Sequence, residues 1–279
     1  MKIRNNFIIA TALVATISLT SCSSTNTNLA QEGVFIVGME CAYQPFNWTE
    51  ISSTESNVAI ENVNGAYAEG YDVQVAKIIA ENLDLELQIK AIEWSGLEAA
   101  LKSNQIDAII AGMSPTQERK EHIDFSDGYY QSKHVLLVKK DSIYANATSL
   151  DDFNGATIIG QIGTLYATLI PQVVEHGAIS GTNLDTIPEI VNAIIKGSAD
   201  VTILEEPVAM GIVNQYSELT YVSIENAFEV SEEDITVSIG FRKGFIYIDQ
   251  INNILTNVLT LEKRNELMVN AINMAPSAE

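Results

Sequence analysis

The sequence predicts an α/β chain folded as two lobes, with the backbone crossing between them twice. Three observations carry this reading. Between residues 34 and 112, short apolar runs stopped by glycine or polar residues alternate with stretches of helical period, in the order β-α-β-α-β. The alternation restarts at Ala156, and 97–110 is echoed by 189–204 with one residue of slippage: helix, polar turn, aspartate, buried strand. A strand and two helical segments after residue 234 then have the first lobe as their natural partner.

Taken in order, Val34-Phe35-Ile36-Val37-Gly38 reads as a buried strand. Residues 50–66 are polar and contain Asn64-Gly65, the signature of an excursion with a hairpin. Val75, Ile78, Ile79 and Asn82 sit at helical spacing and predict a helix over 71–82. Leu85-Glu86-Leu87-Gln88-Ile89 alternates strictly, as a strand does. Ser95 is expected to cap a helix over 96–103, and 106–110 to form the next strand of a mostly parallel sheet. The second unit reads as a strand at 156–160, helices at 165–175 and 188–196, and a strand at 200–204. A strand at 235–241 and helices at 247–259 and 262–275 complete the chain. These limits place the first lobe at 33–132 and 236–279, the second at 133–235, and a two-strand hinge between them.

The N-terminus combines Lys2 and Arg4, the apolar run from Phe7 to Ile17, and small residues, so 1–21 reads as a secretory signal peptide. Leu19-Thr20-Ser21-Cys22 resembles a bacterial lipobox, which makes Cys22 the expected lipidation site and 22–32, rich in Ser, Thr and Asn, a flexible tether to the membrane. Cys41 is then left as a buried free thiol. Acidic residues number 36 against 15 Lys and Arg, a net charge of -21, which argues against binding nucleic acid through a basic surface. With two cysteines, three histidines and no HExxH pairing, neither a disulfide framework nor a zinc site is expected. No cofactor is expected either, and no GxxxxGK[ST] loop is present for nucleotide hydrolysis.

Longer motifs sharpen the reading. Val37-Gly38-Met39-Glu40-Cys41-Ala42-Tyr43-Gln44-Pro45-Phe46, Gly70-Tyr71-Asp72-Val73, Trp94-Ser95-Gly96-Leu97, Ala111-Gly112-Met113-Ser114 with Arg119 beyond it, and Asp124-Phe125-Ser126-Asp127 follow one another. Gln161-Ile162-Gly163-Thr164 and Asp200 to Ala209 follow in the second lobe. In this order the chain resembles the extracellular solute-binding proteins of family 3, the polar amino-acid receptors of ABC importers. The resemblance implies a type II periplasmic-binding-protein-like fold whose lobes close over one free amino acid.

It also implies roles. Arg119 corresponds to the carboxylate-binding arginine of the family, and a guanidinium suits both carboxylate oxygens at once. The Gly112 carbonyl, the Ser114 hydroxyl and Glu205 correspond to acceptors for the ligand ammonium. Most relatives have Asp at that last position, so Glu206 is a competitor for the role. Backbone N–H groups of Ser114 and Leu165 are expected to complete the carboxylate cradle, with Thr164 beside them. Tyr43 and Trp94 correspond to aromatics flanking the ligand side chain, the alternative for each being core packing. Phe46 is expected in the core, Trp48 stands between the two roles, and Lys120 and His122 are expected on a solvated face.

Glu40 corresponds to an acidic position facing a distal cation, the alternative being a local backbone cap. Gln161 replaces a lysine that some glutamine receptors carry, which argues against an acidic ligand. Arginine or lysine is therefore ranked first, then glutamine, with cystine open. The implied partners are an ABC permease, its ATPase subunits and the membrane through the lipid anchor, with the receptor itself a monomer. Two rivals stand: a sensory binding lipoprotein, and an enzyme on the same fold. The enzyme would need paired carboxylates such as Glu40 and Glu205, to which the resemblance gives binding roles instead.

Overall fold

A computed structural model describes residues 29–276; the expected signal peptide and Cys22 lie outside the described residues. Strand β1 (Val34–Met39) is buried along its whole length, as a strand covered on both faces must be. After it, β2 (Ala42–Tyr43), β3 (Asn47–Glu50), β4 (Val58–Ala59) and β5 (Tyr67–Glu69) form a small antiparallel sheet in the order β2-β3-β5-β4. The expected hairpin is its β4–β5 edge. The rest of that sheet escapes the sequence because strands of two to four residues are too short to display an alternation.

Helix α1 (Tyr71–Asn82) follows Gly70, whose φ of 125° and whose closeness to the Phe46 carbonyl, 2.4 Å from where a Cβ would stand, admit glycine only. Strand β6 (Glu86–Ala91) pairs with β1 in parallel. Trp94–Gly96 then makes a 3-10 turn that leads into α2 (Leu97–Lys102), with Gly96 at the N-cap and no side-chain cap. Ser95 is thus inside the turn and does not cap. Strand β7 (Ala108–Ile109) pairs in parallel on the other side of β1. Helix α3 (Gln117–His122) and β8 (Asp124–Gln131) bring the chain to its first crossing at residues 132–133.

Strand β9 (His134–Lys139) opens the second lobe. It is followed by β10 (Thr157–Ile158), α4 (Leu165–Val174), β11 (Ile179–Ser180), α5 (Ile187–Lys196), β12 (Val201–Glu205), α6 (Glu206–Gln215) and β13 (Leu219–Val222). The second sheet runs β11-β10-β12-β9-β13. Helix α5 is the most clearly signalled element: Thr186 and Glu189 form a capping box, Pro188 lies in the first turn, and Gly197 ends the helix in the left-handed region. The chain then returns as β14 (Thr236–Phe241), α7 (Ile248–Asn257) and α8 (Leu261–Met274). Strand β14 enters the first sheet between β7 and β8, giving the order β6-β1-β7-β14-β8.

The sheets are mixed and not mostly parallel as expected. The strands within each βαβ alternation are parallel, whereas β9 and β14, which arrive from the other lobe without a covering helix, run antiparallel to their neighbours. The echo between the lobes extends to chemistry. Asp107 accepts the Ile36 amide at 2.9 Å, and Asp200 accepts the Thr157 amide at 2.8 Å, so each fastens the strand beside the one it introduces. Asp107 also accepts the Ala30 amide at 2.6 Å and pairs with Arg242, which pins the end of the expected flexible tether to the globule. Phe46, Tyr71, Tyr129 and Tyr130 pack edge-on and stacked beneath the cleft, and Phe46 and Trp48 both belong to the core.

Candidate ligand-binding site

One cavity lies where the two lobes meet, at the C-terminal ends of the parallel strands, the place where open α/β sheets hold ligands. Glu40 and Tyr43 reach it from the segment after β1, Trp94 from the turn after β6, Gly112 and Ser114 from beyond β7, and Arg119 from α3. Gln161, Thr164, Leu165 and Tyr166 reach it from the loop into α4. Gly112 has φ +64°, and a Cβ there would stand 2.9 Å from the Tyr43 ring, so glycine lets backbone and ring meet.

Arg119 is buried and its guanidinium spans the cleft. Nη1 donates to the Ser114 carbonyl at 2.9 Å and Nη2 to the Gly163 carbonyl of the other lobe at 3.1 Å. Trp94 lies 5.1 Å from the guanidinium carbon in a cation–π arrangement, and its indole N–H donates to the same Gly163 carbonyl at 2.9 Å. Burial lowers the Arg119 pKa, and Glu98, 3.9 Å from Nε, acts in the opposite sense. Local sequence explains the placement. Thr116 caps α3 by accepting the Arg119 amide, and Thr164 caps α4 by accepting the Ala167 amide. Leu165 is therefore the first residue of α4, where amides have no partner inside the helix and point toward the cavity end.

Two carboxylates near the cavity sit in different environments. Glu40 Oε1 accepts the Gln161 side-chain N–H at 2.8 Å, and the other N–H of that amide goes to the Asp185 carbonyl at 3.0 Å. Burial pushes the Glu40 pKa up to about 7, with Glu93 adding to the rise; Gln161 and the Trp94 backbone N–H work against it. Glu205 is buried at the end of β12 and accepts the Tyr43 hydroxyl from the opposite lobe. Burial holds its pKa well above the ordinary carboxylate range. These cross-lobe hydrogen bonds draw the walls so close that about 10 Å³ of room is left, one water's worth.

The expected residues thus gather at one place, with one displacement. Glu205 is not part of the cavity wall but sits behind Tyr43, whose hydroxyl donates to its carboxylate. Glu206 stands half-buried at the start of α6, away from the cavity, its amide held by the Lys133 carbonyl. The Ser114 hydroxyl donates to the Asp234 carbonyl at 3.1 Å, joining the site to the second crossing. Lys120 is half-buried and paired with Glu233 at 2.6 Å, while His122 is exposed. Two participants escaped the sequence reading: Tyr166, which lines the cavity, and the Gly163 carbonyl, which receives both Arg119 and Trp94. The first was legible only as the residue following Leu165, and a backbone acceptor leaves no side-chain signal at all. A roomier crevice of about 650 Å³ beneath α3 is a weaker candidate, since its lysines are already paired, Lys120 with Glu233 and Lys243 with Asp124 at 2.9 Å.

Comparison with known proteins bears on this geometry. The arginine-binding extracellular protein ArtP of Bacillus subtilis is 30% identical over 250 residues, 89% of this chain and 90% of that protein. The L-cystine-binding protein TcyJ of Escherichia coli is 27% identical over 239 residues, 85% of this chain and 82% of that protein. An ancestral arginine-binding protein solved with glutamine superposes with a TM-score of 0.70 at 26% identity, covering 86% of this chain and 98% of its own. These relatives are binding proteins, and the two-lobed type II architecture is shared with the solved structures. The family model for bacterial extracellular solute-binding proteins, family 3, matches residues 35–275, and the chain belongs to that family.

Proposed function

We propose that this chain is the extracytoplasmic receptor of an amino-acid ABC importer, held to the membrane through Cys22, and that its ligand is a cationic amino acid, arginine or lysine. The observation that carries the reading is the set of hydrogen bonds crossing the cavity. A free cationic amino acid has three charged groups, and each finds its counterpart in a group now engaged across the cleft. The ligand carboxylate replaces the carbonyls at the Arg119 guanidinium, where a bidentate charge-assisted pair forms. The ammonium replaces the Tyr43 hydroxyl at Glu205, and the side-chain cation replaces Gln161 at Glu40, between the faces of Tyr43 and Trp94. Entry requires the lobes to part, and closure over the ligand presents both lobes to the permease.

A second reading, glutamine, is favoured by one feature. Burial raises the Glu40 pKa to about 7, and a carboxyl that keeps its proton can both donate to and accept from a side-chain amide. A melting-point screen with the twenty amino acids, ornithine, citrulline and cystine separates the two, because a ligand that binds only the folded state raises the melting point. Arginine or lysine giving the largest rise is the expected result. Glutamine or cystine in first place moves the assignment to the second reading, and no rise with any of them overturns both.

A further inference from the structure

We infer that Asp72 is the positioning residue of this site, its two carboxylate oxygens tying the 40–43 segment and the 112–114 segment to a single buried point. Asp72 is fully buried in the first turn of α1 and forms no part of the cavity wall. Its Oδ2 accepts the Asn47 side-chain N–H at 2.8 Å, and Asn47 Oδ1 accepts the Cys41 amide at 2.8 Å. Cys41, between Glu40 and Tyr43, is held in the left-handed region at φ 55°, a conformation that costs a non-glycine residue energy unless its surroundings impose it. Asn47 holds the Cys41 amide, and the Thr49 hydroxyl donates to the Cys41 carbonyl at 2.9 Å. On the other side, Asp72 Oδ1 accepts the Tyr129 hydroxyl at 2.7 Å, and the Gly112 amide donates into the same pair, 3.3 Å from the Tyr129 oxygen.

These two of the first lobe's wall segments therefore hang on one carboxylate. Burial raises the Asp72 pKa to about 6, and the donors from Tyr129, Asn47 and Gly112 oppose that rise. The donors and acceptors around Asn47 and Asp72 are complementary in a way that allows exchange. Asp72→Asn alone can accept from Tyr129, but its amide N–H then meets the amide N–H of Asn47. Exchanging both, Asn47→Asp with Asp72→Asn, restores every bond: position 47 accepts the Cys41 amide and the new amide at 72, while position 72 still accepts from Tyr129. A carboxylate present only to favour the N-terminus of α1 is not restored by this exchange, since the charge moves away from the helix.

The inference rests on the proposal that the cavity binds an amino acid, and its test is separable from that proposal. On the full chain, calorimetry with L-arginine and L-glutamine is expected to show at least tenfold weaker binding for Asp72→Asn and recovery to within about threefold for the exchanged pair. Tyr129→Phe, which keeps the ring stack on Tyr71, is expected to weaken both ligands severalfold. Amide hydrogen exchange supplies a readout independent of ligand: Cys41 and Gly112 exchange faster in Asp72→Asn than in the unaltered chain, with Val37 in β1 unchanged, and the exchanged pair reverses this. Wild-type binding in Asp72→Asn or Tyr129→Phe, or an exchanged pair no better than Asp72→Asn, overturns the role. If the unaltered chain binds neither amino acid, the ligand assignment fails and hydrogen exchange alone decides on Asp72. If Asp72→Asn does not fold, Tyr129→Phe decides.

Discussion

The two lobes furnish the cavity by different means. The first contributes side chains, each fixed from behind: Glu40 and Tyr43 by the Asn47–Asp72 chain, Gly112 by Tyr129, Arg119 by its helix cap. The second contributes mainly the start of a helix and its approach, namely the Gly163 carbonyl, the Thr164 cap and the Leu165 amide, with Gln161 as its buried polar arm and Glu205 held behind the wall. The difference teaches a division of labour. Most of the charged side chains, each held from behind, lie on the first lobe, while backbone donors and acceptors that share one helix start, and so keep a common geometry, lie on the second.

The sharpest way to break the comparison is Arg119→Ala. If the first lobe holds the reading charge, removing it costs about 2–5 kcal/mol of binding, as expected for one partner of a desolvated charge pair; calorimetry that still finds full affinity would place the carboxylate cradle in the second lobe. Next comes Gly112→Ala. The added Cβ meets Tyr43 at 2.9 Å in a left-handed backbone, so a stability loss of about 1–3 kcal/mol is expected in denaturant titration, together with weaker binding. A variant as stable as the parent would show that the first wall yields.

The smallest effect sharpens the contrast between the two carboxylates. The Glu40 pKa in the folded chain, about 7, lies above its ordinary value of 4.5. Its contribution to the stability of the ligand-free form is thus fully present below 4.5 and lost as pH rises through 7, and Glu205 acts in the same direction. The ligand-free melting point should fall by a few degrees between pH 5 and pH 8, as read by calorimetric scans. Arginine binding should run the opposite way, tightening about tenfold from pH 6 to pH 8 as Glu40 ionises. Glu40→Gln should flatten the binding profile and lessen the slope of the melting profile, which Glu205 and Asp72 still tilt; a binding profile left steep by that change would assign the titration elsewhere.

Much of this architecture was legible in the sequence, for identifiable reasons. Helix α1 was readable to the residue because Gly70 and a 3.6-residue period mark it, and α5 was readable to within one residue of its start. The Asp-then-strand echo was readable because buried polar side chains that fasten strands recur in both lobes. What stayed hidden was non-local. The β2–β5 sheet has strands too short to alternate, β14 reveals its antiparallel place only through partners far along the chain, and the Gly163 carbonyl has no side chain to announce it. The same limit applies to Glu205. Sequence supplies an acid at this position, and only packing shows that its carboxylate meets the Tyr43 hydroxyl.

One topological detail bears on how the molecule is made. Strand β14 occupies an interior place in the first sheet, between β7 and β8, yet it is synthesised after every strand of the second. On the ribosome, all strands of the second sheet have emerged while the first sheet still has a gap between β7 and β8. The N-terminal half thus finishes last, by long-range pairing of the slow kind, and the nascent chain leaves the unfinished groove exposed until its final forty-odd residues arrive.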